Sequence, residues 1–167
     1  MTEPALADVP RPIGSRWKRV TAVPDHVRAA GAGFLPRAEG TNRPTTGVFR
    51  GVLIESGGGD KAAAARDLHH DPLRGPPVTF YQHAESKAAA WMRTTWRRTN
   101  KPPNAEIIVD NTVCGSNQRD QDHAWACERI LPSILPPNSR LTVWVTRDGG
   151  RTWWRGVYRG TGERIKQ

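Results

Sequence analysis

The chain has 167 residues, with 25 Lys and Arg against 16 Asp and Glu and a net charge of +9. That length suits one domain with its own core, and two cysteines exclude a disulfide scaffold, though the two could still pair with each other. No apolar run of about 18 residues is present, which excludes a membrane-spanning helix, and the start Met1-Thr2-Glu3-Pro4 lacks the basic-then-apolar pattern of a signal peptide.

Residues 1–30 show no sustained period and are punctuated by Pro4, Pro10, Pro12 and Pro24. They read as an extended lead-in or linker. One short helix is expected at 25–30 with Asp25 as N-cap, and Trp17-Lys18-Arg19 forms a basic aromatic spot. Residues 31–43 read as a Gly/Pro-rich loop. The β-branched and apolar stretch 46–54 predicts the first strand, ended by Gly57-Gly58-Gly59. Residues 60–67 contain four Ala and suit a helical turn. His69-His70-Asp71 resembles a metal cluster, but adjacent side chains point apart and no further ligand is near in sequence, so it reads as loop.

The short aromatic stretch 78–81 leads into a helix at 83–98, whose Ala88-Ala89-Ala90 centre has high helix propensity. Glu85, Ala89, Met92 and Trp96 share one face of it, and Arg93 and Arg97 share another. Trp91 and Trp96 are expected in the core. Residues 100–104, Asn-Lys-Pro-Pro-Asn, form a hard stop. The apolar run 106–109 suits a buried central strand that leads through 110–113 to Cys114. Residues 127–135 predict a second helix, interrupted or ended by Pro132 and Pro136. Residues 141–146 predict a strand, and 146–153 a hairpin turn leading to a last strand at 154–158. The turn fits the S/T-x-D-x-G-x-T-W pattern, in which the Asp ties the turn to its own backbone. Residues 160–167 read as a tail. Strands alternating with helices argue for a sheet covered by helices.

His83-Ala84-Glu85 at the head of an Ala-rich helix, followed by Cys114 and Cys127, fits a zinc-dependent nucleobase deaminase. Hydrolytic deamination needs an activated water and a proton carrier. Three protein ligands on zinc leave one position open for that water. His83, Cys114 and Cys127 are the candidate ligands, and Glu85 the candidate general acid and base. An H-x-E triplet is common by chance, and a lone Cys is ordinarily a small buried apolar residue. The conjunction carries the reading, because both cysteines follow H-x-E in the right order at strand-to-helix junctions.

The stretches His83-Ala84-Glu85-Ser86-Lys87-Ala88-Ala89-Ala90-Trp91-Met92-Arg93, Ile107-Ile108-Val109-Asp110-Asn111, Cys114-Gly115, Cys127, and Leu131-Pro132 through Leu141-Thr142-Val143 resemble the DddA-like deaminases. These are bacterial polymorphic-toxin domains related to the double-stranded-DNA cytosine deaminase. The similarity covers residues 33–160. It implies a cytidine-deaminase-like three-layer α/β/α sandwich with a mixed sheet of about five strands. The deaminase domain is then 31–160, flanked by the lead-in 1–30 and the tail 161–167. It also implies Zn2+, conversion of cytosine to uracil in single- or double-stranded DNA, and delivery into a target-cell cytoplasm. An immunity protein in the producer, and a monomeric, membrane-free enzyme, complete that expectation.

In one respect the chain departs from the family pattern. The family keeps its two cysteines close together, often after Pro, whereas here Val113 precedes Cys114 and twelve residues separate it from Cys127. Either the insertion bulges out and both cysteines stay on the metal, or His123, four residues before Cys127, replaces one of them.

Candidate pocket residues are Phe80 and Tyr81 upstream of His83, Asn111 at the strand end, and Trp125, which could stack on a flanking base. Arg93, Arg97, Arg98 and Lys101, and separately Arg147, Arg151, Arg155 and Arg159, are candidate phosphate contacts. Two alternatives stay open: a deaminase of RNA or free nucleosides, and a non-catalytic nucleic-acid-binding module stabilised by zinc. The positive charge argues against free nucleosides, and a carboxylate beside an open position argues against a purely structural zinc.

Overall fold

A computed structural model of the chain describes residues 12, 14–37, 43–57, 65–69, 83–114, 116 and 126–166. Its elements, in order, are β1 (Lys18–Val20), α1 (Asp25–Ala32), β2 (Thr46–Phe49), β3 (Val52–Glu55), α2 (Ala84–Thr99), β4 (Asn104–Val109), α3 (Cys127–Ile134), β5 (Arg140–Val145) and β6 (Trp153–Arg159). The strands form one six-stranded mixed sheet in the order β1-β6-β5-β4-β2-β3. Only the β4–β5 pair is parallel. A parallel pair needs a crossover, and α3 supplies it.

Alternation along each strand divides the core between the two faces of the sheet. Ile107 and Val109 of β4, with Leu141, Val143 and Val145 of β5 and Phe49 of β2, pack against Ala88, Ala89 and Met92 of α2 and Leu131 and Ile134 of α3. Ile108 of β4 and Trp144 of β5 point the other way, onto Val27 of α1 and Phe34. The result is the expected α/β/α sandwich, with six strands where about five were expected. Gly31 permits the close contact on the α1 side, because a Cβ there would lie 2.3 Å from Cζ2 of Trp153. Among the described residues no helix is long and apolar enough to cross a membrane.

Several local expectations change. The predicted strand 46–54 is a hairpin of two strands, turning at Arg50 and Gly51 with φ of 53° and 75°. Two residues with positive φ are what a two-residue hairpin requires, but Arg at the first position hides the turn in sequence. The expected lead-in contains β1, which pairs with β6, and Trp17 packs over the bare Cα of Gly156. The expected tail is packed as well. Ile165 is buried and bridges to Leu68, and the amides of Thr161 and Arg164 donate to the Pro132 and Ser133 carbonyls near the end of α3. A helix end leaves carbonyls without internal partners, and this segment supplies them. Trp91 and Trp96 are half-buried against the core rather than within it. Most of the helical stretch expected at 60–67, and His70 and Asp71, lie outside the described residues.

Two charged clusters tie elements together, one joining α2 to α3 and one at the end of β4. Arg93, expected on the surface, is 2% exposed. Its Nε donates to Asp67 at 3.0 Å and its Nη1 to the Ile134 carbonyl. Asp110, at the end of β4, accepts from Arg37 Nη2 at 3.1 Å and from the Thr46 amide at 2.8 Å, with Arg43 at 3.6 Å. Arg37 and Asp110 are both buried, so each depends on the other for solvation. Asp110→Ala is therefore expected to lower unfolding stability by about 3–5 kcal/mol in a denaturant titration.

The hairpin at 146–152 has the expected form. Asp148 Oδ1 accepts from the amides of Arg151 (3.0 Å) and Thr152 (2.9 Å), and its Oδ2 from the Thr152 hydroxyl (2.6 Å). Burial alone would raise this carboxyl, but the hydrogen bonds from Thr152, Thr146 and Arg151 outweigh it and hold it below the ordinary 3.8. A lowered folded-state pKa contributes stability that is present above 3.8 and is lost as pH falls through the lower folded value. The stability gap between wild type and Asp148→Ala should thus be largest near neutral pH. It should shrink under acid, as measured by paired denaturation curves.

Candidate active site and metal centre

The site forms where two helix starts meet the loop after β4. His83 is the N-cap residue of α2, and Glu85 lies in that helix's first turn. Cys127 is the first residue of α3. Cys114 follows β4 by a short loop in which Thr112 and Val113 are buried.

The first amides of α3 hold Cys114 in place. The Cys127 amide donates to Cys114 Sγ at 2.8 Å, and the Glu128 amide donates to the Cys114 carbonyl at 3.0 Å. Donors at a helix start have no partner within the helix, so they are free for this use. The insertion therefore leaves the two cysteines adjacent. Both are free thiols. His83 Nδ1 lies 3.0 Å from Cys127 Sγ and 3.5 Å from Cys114 Sγ. The three donor atoms all lie within 4.8 Å of one another.

The 3.5 Å separation is close to that around a tetrahedral ion, and the 3.0 Å one would have to open by about half an ångström to admit it. Zinc bonds of about 2.0–2.1 Å to nitrogen and 2.3 Å to sulfur put neighbouring donors about 3.6–3.8 Å apart. One imidazole nitrogen and two sulfurs are also the donor chemistry that zinc takes. Among the described residues, His83, Cys114 and Cys127 are the group placed to hold a metal.

The three donors differ in how readily they reach the ligating form. Cys114 is lowered to about 5, first by its hydrogen bond with the Cys127 side chain, then by His83 and the Cys127 amide. Burial pushes the Cys127 thiol well up, so of the pair Cys114 ionises first. The bond to Cys114 raises His83 against the opposing effect of burial. Glu85 is 4% exposed and raised to about 7, chiefly by burial, with the charges of Cys114 and Asp110 adding and its own amide and His83 opposing. A carboxyl near 7 can both take and give a proton at neutral pH.

The sequence profile of SCP1.201-like deaminases matches residues 20–160. The chain belongs to that deaminase family. No curated protein matches it. Near the start of α2 this deaminase-family chain has three side chains positioned for a metal.

The remaining candidates divide. Asn111 lies in the same loop as Cys114, but its amide is engaged locally. Its Oδ1 accepts from the Thr112 amide at 2.9 Å, and its Nδ2 donates to Thr45 Oγ1 at 3.5 Å. Phe80, Tyr81, His123 and Trp125 lie outside the described residues. A cavity of about 350 Å³ lined by His26, Arg50, Trp91 and Glu106 opens beside the start of β4, away from Cys114, and holds none of the candidates.

Sequence reasoning missed Glu128. It accepts from Arg16 Nε at 2.9 Å, from Trp17 Nε1 at 3.3 Å and from the Tyr158 hydroxyl, which ties the residue after Cys127 to β1 and β6. Its partners lie 30 to 112 positions away, so no local pattern reveals it.

His83→Ala, Cys114→Ser and Cys127→Ser are each expected to reduce retained zinc from roughly one ion per chain to a small fraction of that. His123→Ala is expected to leave zinc unchanged. Elemental analysis of the purified variants checks this. Zinc lost from His123→Ala but kept by Cys127→Ala would overturn the ligand set.

Proposed function

We propose that this deaminase is a zinc-dependent hydrolase that converts cytosine to uracil in DNA. The observation that carries the catalytic part is Glu85. It is buried beside the three-donor cluster, is not one of its donors, and sits near 7. A structural zinc site is closed by four protein ligands and has no need of such a carboxyl, whereas a catalytic site keeps one position open.

In this reading His83, Cys114 and Cys127 would hold the ion, which would supply Lewis-acid activation of water when bound. Glu85 takes the proton of the attacking water and delivers it to the ring nitrogen. It then takes the second proton, from the hydroxyl now on the ring carbon, and passes it to the departing amine, which leaves as ammonia. The positive end of α2 stabilises the Glu85 carboxylate between these transfers.

The net charge of +9 supports a polyanionic substrate over a free nucleoside. Arg93 is withdrawn into its ion pair with Asp67, and Arg97 shares that partner at 3.5 Å. Arg98, Lys101, Arg151 and Arg159 remain exposed for phosphate contact. The resemblance to DddA-like domains supports DNA as that polyanion. It also supports a role as a monomeric interbacterial toxin, delivered to the target-cell cytoplasm and neutralised in its producer by an immunity protein.

Glu85→Ala should lower uracil formation by a factor of about 10² or more while zinc content and fold stay unchanged. Matched single- and double-stranded oligonucleotides, read by uracil-specific cleavage, measure it. Wild-type activity on the preferred strand should fall steeply between low and moderate salt. Uracil appearing in RNA but not DNA would replace the substrate. No turnover on any nucleic acid would leave the binding module.

A further inference from the structure

The sheet carries a second charged surface, on the face turned away from α2 and α3. Alternation along the strands places Lys18 of β1, Arg155 and Arg159 of β6 and Arg140 of β5 on that face. α1 packs by Val27 on Ile108, Trp144 and Trp153 at one end of it. Lys18, Arg140 and Arg159 are exposed, and Arg155 is half-buried with its guanidinium 5.8 Å from the Trp144 ring centroid.

The register makes neighbours of like charges. Lys18 lies opposite Arg155, and Arg140 lies opposite Arg159. Side chains directly opposite on adjacent strands stand about 4.5–5.5 Å apart at Cβ, and like charges there are destabilising. Among the described residues none of the four enters an ion pair. Glu106, on the same face of β4, accepts from Trp144 Nε1 at 3.0 Å and from His26 instead. A lysine on an edge strand such as β1 serves to block pairing with another chain. That reason does not extend to β5 and β6, which are interior strands. Between the two pairs lies an uncharged floor, Thr142 opposite Val157. The pairs are four residues apart along β6, about 13 Å at the rise of a strand. The exposed large apolar residues Leu35, Val52 and Leu53 belong to other segments, so this surface has no apolar anchor for a lipid layer. Paired cations without counter-ions, repeated along a flat floor, suit negative charges that repeat along a chain, as phosphodiesters do.

We propose that the Lys18–Arg155 and Arg140–Arg159 pairs form a second nucleic-acid contact surface, which holds phosphodiester groups away from the cluster of His83, Cys114 and Cys127. The proposal rests on the reading of this deaminase as one that acts on a nucleic acid. The cluster lies on the α2 and α3 side, past the end of β4, so this surface meets nucleotides other than the one presented there. It adds affinity without reading sequence, because phosphates carry none.

The test uses the full chain with a long DNA duplex and the matching single strand, binding being followed by fluorescence anisotropy across a salt series. One variant combines Lys18→Gln with Arg155→Gln, and another Arg140→Gln with Arg159→Gln. Each is expected to lower the slope of log affinity against log salt by about 1 to 2, since each phosphate contact contributes about 0.7–0.9. Their thermal midpoints should match or exceed wild type, because a like-charge pair is relieved. Arg155→Lys with Arg159→Lys keeps the charge and should hold the slope near wild type. Arg28→Gln with Arg66→Gln removes the same charge from exposed positions elsewhere and should also leave the slope near wild type. Unchanged slopes in both Gln variants of the surface would overturn the proposal. An equal loss in the Arg28 and Arg66 variant would also overturn it, because that marks the overall field of the protein. A lower slope that comes with a lower midpoint would mark a structural role and count against it. Binding to phosphatidylserine vesicles that depends on the four cations, while DNA binding does not, would replace the partner. A wild-type chain that binds neither DNA nor RNA would remove the polyanionic substrate itself, an outcome distinct from failure of this surface.

Discussion

The start of α3 grips Cys114 by two atoms, its sulfur and its carbonyl. Everything else at the site depends on this grip. β4 delivers Cys114 from the centre of the sheet, α3 delivers Cys127 with its own first residue, and the two amides join them. The α2 start then needs only one approach to bring His83 against both sulfurs. Packing of α2 and α3 on one face, through Ala88, Ala89, Met92, Leu131 and Ile134, sets that approach. The small alanines allow the helix backbone to come close to the strands. The functional cluster therefore grows out of the same contacts that form the core.

The electrostatics follow from crowding four ionisable groups into one buried space. Glu85 and Cys127 are buried and His83 and Cys114 partly so, and each group leans on its neighbours. Cys114 becomes the acidic member because an amide and two side chains favour its anion. Cys127 and Glu85 are pushed the other way by burial. Asp110 adds a fixed negative charge behind the site, itself held by Arg37 and by the Thr46 amide. That charge helps raise Glu85, so the Arg37–Asp110 pair bears on the electrostatics of the cluster as well as on the stability of the sheet.

The layers of the fold and the candidate donor His83 were legible because they rest on local signals. The run Ile107-Ile108-Val109 could only be a buried strand, and His83-Ala84-Glu85 at a helix start is compact in sequence. What escaped was long-range or masked by composition. β1 is three residues long and owes its place to Trp17 lying over Gly156 rather than to any periodicity. The hairpin between β2 and β3 turns on Arg50, a residue that gives no turn signal. Arg93 reads as a surface cation until Asp67 is found beside it. The final residues read as tail because their role is to supply donors to the end of α3, a need visible only once that helix is placed. The closeness of Cys114 and Cys127 lies beyond what their spacing can establish. Spacing says how far apart two residues are along the chain, not whether helix amides will reach back to the first.

The closed base of the insertion between the cysteines bears on which changes the chain tolerates there. A loop whose two ends are already joined adds little constraint as it grows, since each doubling of a flexible loop costs only about 0.6 kcal/mol. Both ends of the insertion are buried, at Ser116 and Ala126, so packing fixes these two positions while the loop they close can change in length without moving the donor atoms.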